Sequence, residues 1–133
     1  MTEGEILYID YVKAVDLHFE LMHVWNETRF GVEERDLIES ALARPKHSAV
    51  YENSDLVRQA ATLVFGLIKN HPWTGGNKRT ASLLMDEFLY INQVELTASP
   101  SELYEMSLAV ESNAWMVDEI EQWLSERVRM LNQ

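Results

Sequence analysis

The chain has 133 residues and a formal charge of −11, from 11 lysines and arginines against 22 aspartates and glutamates. That balance argues against sequence-independent nucleic-acid binding, which rests on neutralising phosphates with cationic side chains. The absence of cysteine removes disulfides, thiolate metal sites and thiol catalysis together.

The length suits one domain, residues 1–133, with a single core, and the scarcity of glycine (five) and proline (three) favours helices over a turn-rich β fold. The N-terminus, MTEGEILYID, is acidic where a signal peptide needs positive charge. Nowhere do about 18 apolar residues run together as a membrane span requires. A cytoplasmic protein with no membrane partner is the expectation. Residues 6–9 (ILYI) read as a short strand leading in, and Asp10 suits a helix N-cap. Val15, His18, Phe19, Met22 and Trp25 then recur at helical spacing, predicting a helix over 11–26. His18 lies on that apolar face with no second ligand one turn away, so it reads as a hydrogen-bonded core histidine.

Asn26 to Gly31 breaks the pattern. A second helix is predicted over 33–43 with Leu37, Ile38, Ala41 and Leu42 inward, and Pro45 marks its end. Residues 45–54 (PKHSAVYENS) lack helical periodicity and read as an exposed loop or small hairpin, with His47 on the surface. Leu56, Ala60, Leu63, Val64, Leu67 and Ile68 stripe a third helix over 55–70, and Val57, Ala61 and Phe65 widen the stripe towards all-round burial. A fourth, over 77–92, carries Leu83, Leu84, Phe88, Leu89 and Ile91. Val94–Leu96 reads as a brief extended segment, and Ser99-Pro100-Ser101-Glu102 as a capping box with proline at the first helical position, opening a helix to about 112. The last helix is predicted over 116–131, with Val117, Ile120, Leu124, Val128 and Leu131 on one face. Periodicity does not assign Trp25, Trp115 and Trp123, but large aromatics are ordinarily packed. The fold class is all-α, with about six helices.

Between the third and fourth helices lies HPWTGGNKRTA, residues 71–81. It joins a titratable histidine, His71, to two glycines, Gly75 and Gly76, an asparagine at a helix start, Asn77, and two cations, Lys78 and Arg79. A helix N-terminus exposes backbone N–H groups, and the glycines allow positive φ, so the stretch can form an anion-binding nest. A solvated loop with a solvated cationic pair explains the same residues equally well by spacing alone. The P-loop pattern, a His-Glu-x-x-His helix and a serine elbow are all absent.

HPWTGGNKRTA resembles the central motif of the Fic/Doc family, commonly His-Pro-Phe-x-(Asp/Glu)-Gly-Asn-(Gly/Lys)-Arg. LIESALARP at 37–45, the stretch after it, Asn70-His71-Pro72 and SPSELYEMSLAV at 99–110 are similar to the short death-on-curing (Doc) branch. The resemblance runs from about Ile6 to Val128. It implies that His71 is a general base taking the proton of a target hydroxyl, a task that suits an imidazole at neutral pH. It also implies that Asn77, Lys78 and Arg79, with amides of the Gly75–Asn77 turn, contact nucleotide phosphates, and that Arg79 takes part in transfer. Trp73 stands where the family usually has phenylalanine and reads as a plug anchoring the loop. Residues 46–54 match the family's target-positioning flap.

AMP-transferring relatives carry glycine at the Lys78 position and a second arginine at the Ser82 position. The resemblance therefore implies a toxin that moves the γ-phosphate of ATP to elongation factor Tu, a translation factor, and that is silenced by a small antitoxin laying a helical tail in a groove. AMP transfer is the alternative. A third reading, a degenerate binding module, follows from Gly75, which stands where the family has its Mg²⁺-holding acid. Mg²⁺ would then depend on triphosphate, water and another carboxylate, and restoring the acid (Gly75→Asp) would separate the readings. Ser48-x-x-x-Glu52-Asn53 also fits a short inhibitory motif of some Fic proteins. That motif needs a helix and an arginine at Ser82, so the match reads as coincidence.

Overall fold

The computed structural model describes residues 5–131. Among them are six helices: α1 (Tyr11–Val24), α2 (Arg35–Glu52), α3 (Leu56–Asn70), α4 (Asn77–Ile91), α5 (Pro100–Glu111) and α6 (Val117–Ser125). Two three-residue strands, β1 (Val94–Leu96) and β2 (Val128–Met130), pair antiparallel with Glu95 opposite Arg129. The all-α class expected from the sequence is what forms.

Helix α3 is the axis. Residues 59–64 and 66–68 are all buried, and α2, α4, α5 and α6 pack around it. Local chemistry sets several boundaries. The Asp10 and Asp55 carboxylates accept from the N–H groups of Lys13 and Arg58, capping α1 and α3. At α5 both halves of the Ser99–Glu102 capping box form.

Several expectations need correction. Pro45 does not end α2; the helix continues to Glu52, so 45–52 is helical rather than a loop or hairpin. An internal proline forfeits a backbone hydrogen bond and ordinarily costs about 3 kcal/mol. Here Pro45 is buried with Ile38, Ala41 and Ser48, and that packing offsets the loss. The helix ends instead at Asn53, in the left-handed region at φ 53°, its N–H donating to the Ser48 carbonyl. The stretch containing Ser48 and Glu52 is therefore helical after all, but the Glu52 carboxylate is held by Arg58 at 3.4 Å and Ser82 supplies no cation.

The final helix stops at Ser125, not 131. The chain turns at Arg127, whose guanidinium binds the Trp123 carbonyl and Glu102, and the next three residues pair with β1. Residues 6–9 form no strand. The side-chain amide of Asn92 pairs with both the N–H and the carbonyl of Leu7, taking the place of a strand partner. Of the tryptophans, Trp73 is fully buried and Trp123 buried, whereas Trp25 is 59% exposed. Phe19 is also exposed, so the inward face of α1 is Ala14, His18 and Met22.

Candidate functional site

The segment between α3 and α4 is held in place by contacts within the chain. His71 ends α3 in the left-handed region, φ 50°, with its N–H on the Leu67 carbonyl and its imidazole exposed. The Pro72 carbonyl accepts from Glu33 and Glu34 at 3.0 and 3.2 Å, Thr74 N–H donates to the Gly31 carbonyl at 2.8 Å, and Trp73 forms a β-bridge with Val32. The loop 71–76 thus lies along the 29–34 segment as a short, irregular ribbon.

The two glycines serve different purposes. Gly76 caps α4 at φ 68°, the left-handed conformation expected of it. Gly75 is not in that region. A Cβ there would stand 2.5 Å from the Arg29 carbonyl oxygen, so glycine allows two backbones to approach.

Asn77 is buried and faces the loop. Its Oδ1 accepts from Trp73 N–H at 2.9 Å and its Nδ2 donates to the Trp73 carbonyl at 2.8 Å. The same Nδ2 lies 3.4 Å from both ring nitrogens of His71, so neither nitrogen is held in a short hydrogen bond. The side chain expected from the resemblance to touch phosphate is bonded within the loop. Its backbone N–H and those of Lys78 and Arg79 have no intrahelical acceptor, because the first such bond of α4 runs from Thr80 to Gly76.

Both cations already have carboxylate partners. Lys78 Nζ lies 3.1 Å from Glu111 of α5, and Arg79 lies 2.7 Å from Glu27 with its guanidinium 4.8 Å from the centre of the Trp25 ring. Sequence reading missed Glu27, Glu111 and Trp25 in this role. A cleft of about 380 Å³ opens beside these residues between α1, α4 and α5, lined largely by apolar groups including Leu21, Trp25, Leu83 and Tyr104. Lys78 and Arg79 line it; His71 does not. Asp86, also in the lining, is held above the usual carboxylate range by burial first, then by Glu87 and Glu95.

His18 lies beneath the loop, fully buried. Gly31 N–H donates to its Nε2 at 3.0 Å, which fixes the other nitrogen, Nδ1, as the protonated one, donating to Thr80 Oγ1 at 2.8 Å. The ring stacks on Trp73 with centroids 4.1 Å apart. Burial pushes its pKa down to about 4. The expectation of a hydrogen-bonded core histidine holds.

The donors present do not fit a protein-held Mg²⁺. Gly75 offers no carboxylate, and Glu27 and Glu111 are engaged by cations. Asp86 is seven residues beyond Arg79, about 10 Å along the helix axis. No cluster of three His, Asp or Glu side chains suited to a metal occurs among the described residues.

What the arrangement offers is an N-terminal turn of α4 with unbonded amides and two cations paired to carboxylates, near an exposed histidine. No helix among the described residues is long and apolar enough to cross a membrane. The model of the Fic/DOC family matches residues 8–89, and Toxin Doc of Mycolicibacterium smegmatis (strain ATCC 700084 / mc(2)155) is 40% identical over 70 residues, 50% of this chain. The match spans 53% of that relative's length. With the loop, its capping turn and its histidine all inside the matched span, the chain belongs to the Fic/Doc family.

Proposed function

We propose that the protein is a Doc-like toxin that transfers the γ-phosphate of ATP to a serine or threonine hydroxyl of a translation factor, elongation factor Tu being the expected target. The observation that carries the reading is the first turn of α4. It carries unbonded amides together with Lys78, held by Glu111, and Arg79, held by Glu27, and its Asn77 amide lies 3.4 Å from the ring nitrogens of the exposed His71. In this reading His71 takes the hydroxyl proton, the oxygen bonds to the γ-phosphorus, and the bond from that phosphorus to the bridging oxygen breaks. ADP leaves, and the proton passes from His71 to water. Phosphoryl transfer demands chiefly positioning and charge stabilisation. Amides of the Gly75–Asn77 turn, Lys78 and Arg79 would supply these once Glu111 and Glu27 are displaced. No step is assigned to a metal.

The relative named Toxin Doc supports the toxin reading, and with it an antitoxin partner. The largely apolar cleft between α1, α4 and α5 would take an amphipathic helical tail, whose acidic residues would have to replace Glu111 and Glu27 at Lys78 and Arg79. A cytoplasmic location follows from a translation-factor target. One observation favours a second reading, a non-catalytic binding module: the Arg29 carbonyl occupies the space from which an acid at position 75 would project.

The deciding experiment incubates the purified chain with elongation factor Tu and Mg-ATP labelled on either the γ- or the α-phosphate, with His71→Ala as control. Label from γ alone, lost in the control, supports the kinase. Label from α makes the protein an AMP transferase. No label from either, with folded protein and bound nucleotide, favours the binding module.

A further inference from the structure

We propose that His18 is a positioning residue for the transfer site: its neutral imidazole clamps the 71–76 loop and the first turn of α4 onto the 29–34 segment. Three directional contacts from one buried ring reach three parts of the chain. Nε2 holds Gly31, Nδ1–H holds Thr80, and the ring face holds Trp73. Each partner adjoins the motif. Gly31 is bonded through its carbonyl to Thr74, Thr80 closes the first turn on Gly76, and the Trp73 peptide is held by Asn77, the residue beside His71.

A ring that merely filled space would need only the stack on Trp73. The two hydrogen bonds add something else, because they fix where the 29–34 segment sits relative to α4. They do so only in the Nδ1-protonated, neutral form, since a protonated Nε2 could not accept from Gly31. The low pKa caused by burial keeps that form in place at neutral pH. His18 need not touch substrate; it acts through Gly31, Thr80 and Trp73.

The word positioning rests on the transfer reading above, whereas the clamp itself does not, and the test separates them. Amide hydrogen exchange is followed in the ligand-free full chain, comparing wild type with His18→Phe, which keeps an aromatic ring to stack on Trp73 but loses both hydrogen bonds. Gly31 and Thr74 amides are expected to exchange at least tenfold faster, while Leu63 and Leu67 in α3 keep their protection. His18→Gln, whose side-chain oxygen can accept from Gly31, should restore most of it. In the labelled-ATP assay kcat should fall at least tenfold in His18→Phe, with KM for ATP within about twofold, and recover in His18→Gln. Unchanged Thr74 exchange in His18→Phe, or unchanged kcat where the wild type is active, overturns the proposal. If the wild type transfers no label, the transfer reading fails while exchange still decides the clamp. If His18→Phe does not fold, Thr80→Val, which removes the acceptor of Nδ1–H, provides the same comparison with the same expected and overturning results.

Discussion

Gly75 and Arg29 meet backbone to backbone: a single carbon added to Gly75 would lie 2.5 Å from the Arg29 carbonyl oxygen. A flexible side chain could yield to such a contact, but this carbonyl belongs to the ribbon that holds the loop. Gly75→Asp therefore does not simply restore an acid, contrary to the sequence-based expectation that it would be a clean test. Gly75→Ala and Gly75→Asp should each lose about 1–3 kcal/mol of stability, the usual range for overpacking. Neither should raise transfer activity. Urea unfolding alongside the labelled-ATP assay checks both, and a stable, more active Gly75→Asp protein would show that the 29–34 ribbon can move aside.

If Arg79 binds phosphate as proposed, Glu27, which holds it at 2.7 Å, must compete with the nucleotide. The pair is partly exposed, and such ion pairs contribute about 0.2–1 kcal/mol. Glu27→Gln should accordingly tighten ATP binding by about 1.5- to 5-fold at low salt. The gain should shrink as salt screens the pair. Calorimetric titration at two salt concentrations tests this; equal or weaker binding in the variant would mean that Glu27 does not oppose the nucleotide.

The buried His18 makes stability pH-dependent in a definite direction. Its folded pKa of about 4 lies below the ordinary 6.5, so the unfolded chain binds the extra proton first. The stability associated with neutral His18 is fully present above about pH 6.5 and is lost as pH falls from there through about 4, at most about 3 kcal/mol. Asp86 acts oppositely. Its raised pKa means the folded state holds its proton longer, so its contribution is present below the ordinary carboxylate value and fades as pH rises through the raised one. Unfolding free energies from pH 4 to 7 should therefore slope less in His18→Gln than in wild type, and more in Asp86→Asn.

Asn77 should behave as a residue that builds the site. Asn77→Ala leaves the Trp73 N–H and carbonyl without their partners, a loss of about 1–3 kcal/mol per unsatisfied group. Asn77→Asp keeps the acceptor but cannot donate, so its stability should fall between alanine and wild type at neutral pH. A side chain whose main task was phosphate contact would instead show weak ATP binding with unchanged stability in Asn77→Ala.

How much of this could be read from the sequence depended on how far apart the interacting residues lie. Helices α1, α3, α4 and α5 were legible within a few residues because their stripes, aspartate caps and the Ser99–Glu102 box are local signals. Pro45 misled because its cost is local but its compensation, burial in α2, is tertiary. Residues 128–130 were misplaced for a similar reason: they are a strand only because β1 is there to pair with. In the loop, the left-handed Gly76 and the helix start at Asn77 were legible because glycine and helix-start chemistry operate over a few residues. Gly75 was read as a positive-φ glycine, whereas its constraint comes from Arg29. Glu27 and Glu111 lie 52 and 33 residues from their cations, and no spacing rule connects them. His18 carried one hint, a lone histidine on an apolar face, but its neighbours did not reveal that Thr80, 62 residues away, is its partner.

The clamp of His18, Gly31, Trp73 and Thr80 also bears on when the site comes into being. The helices can begin to form from local contacts, but the loop acquires its shape only after a chain segment of more than 60 residues has closed on itself, and such closure is slow. A nascent or partly unfolded chain carries every residue of HPWTGGNKRTA and still lacks the folded loop. Any activity would then be tied to completed folding, so destabilising α1 would disarm the protein from the far end of the fold without altering the motif.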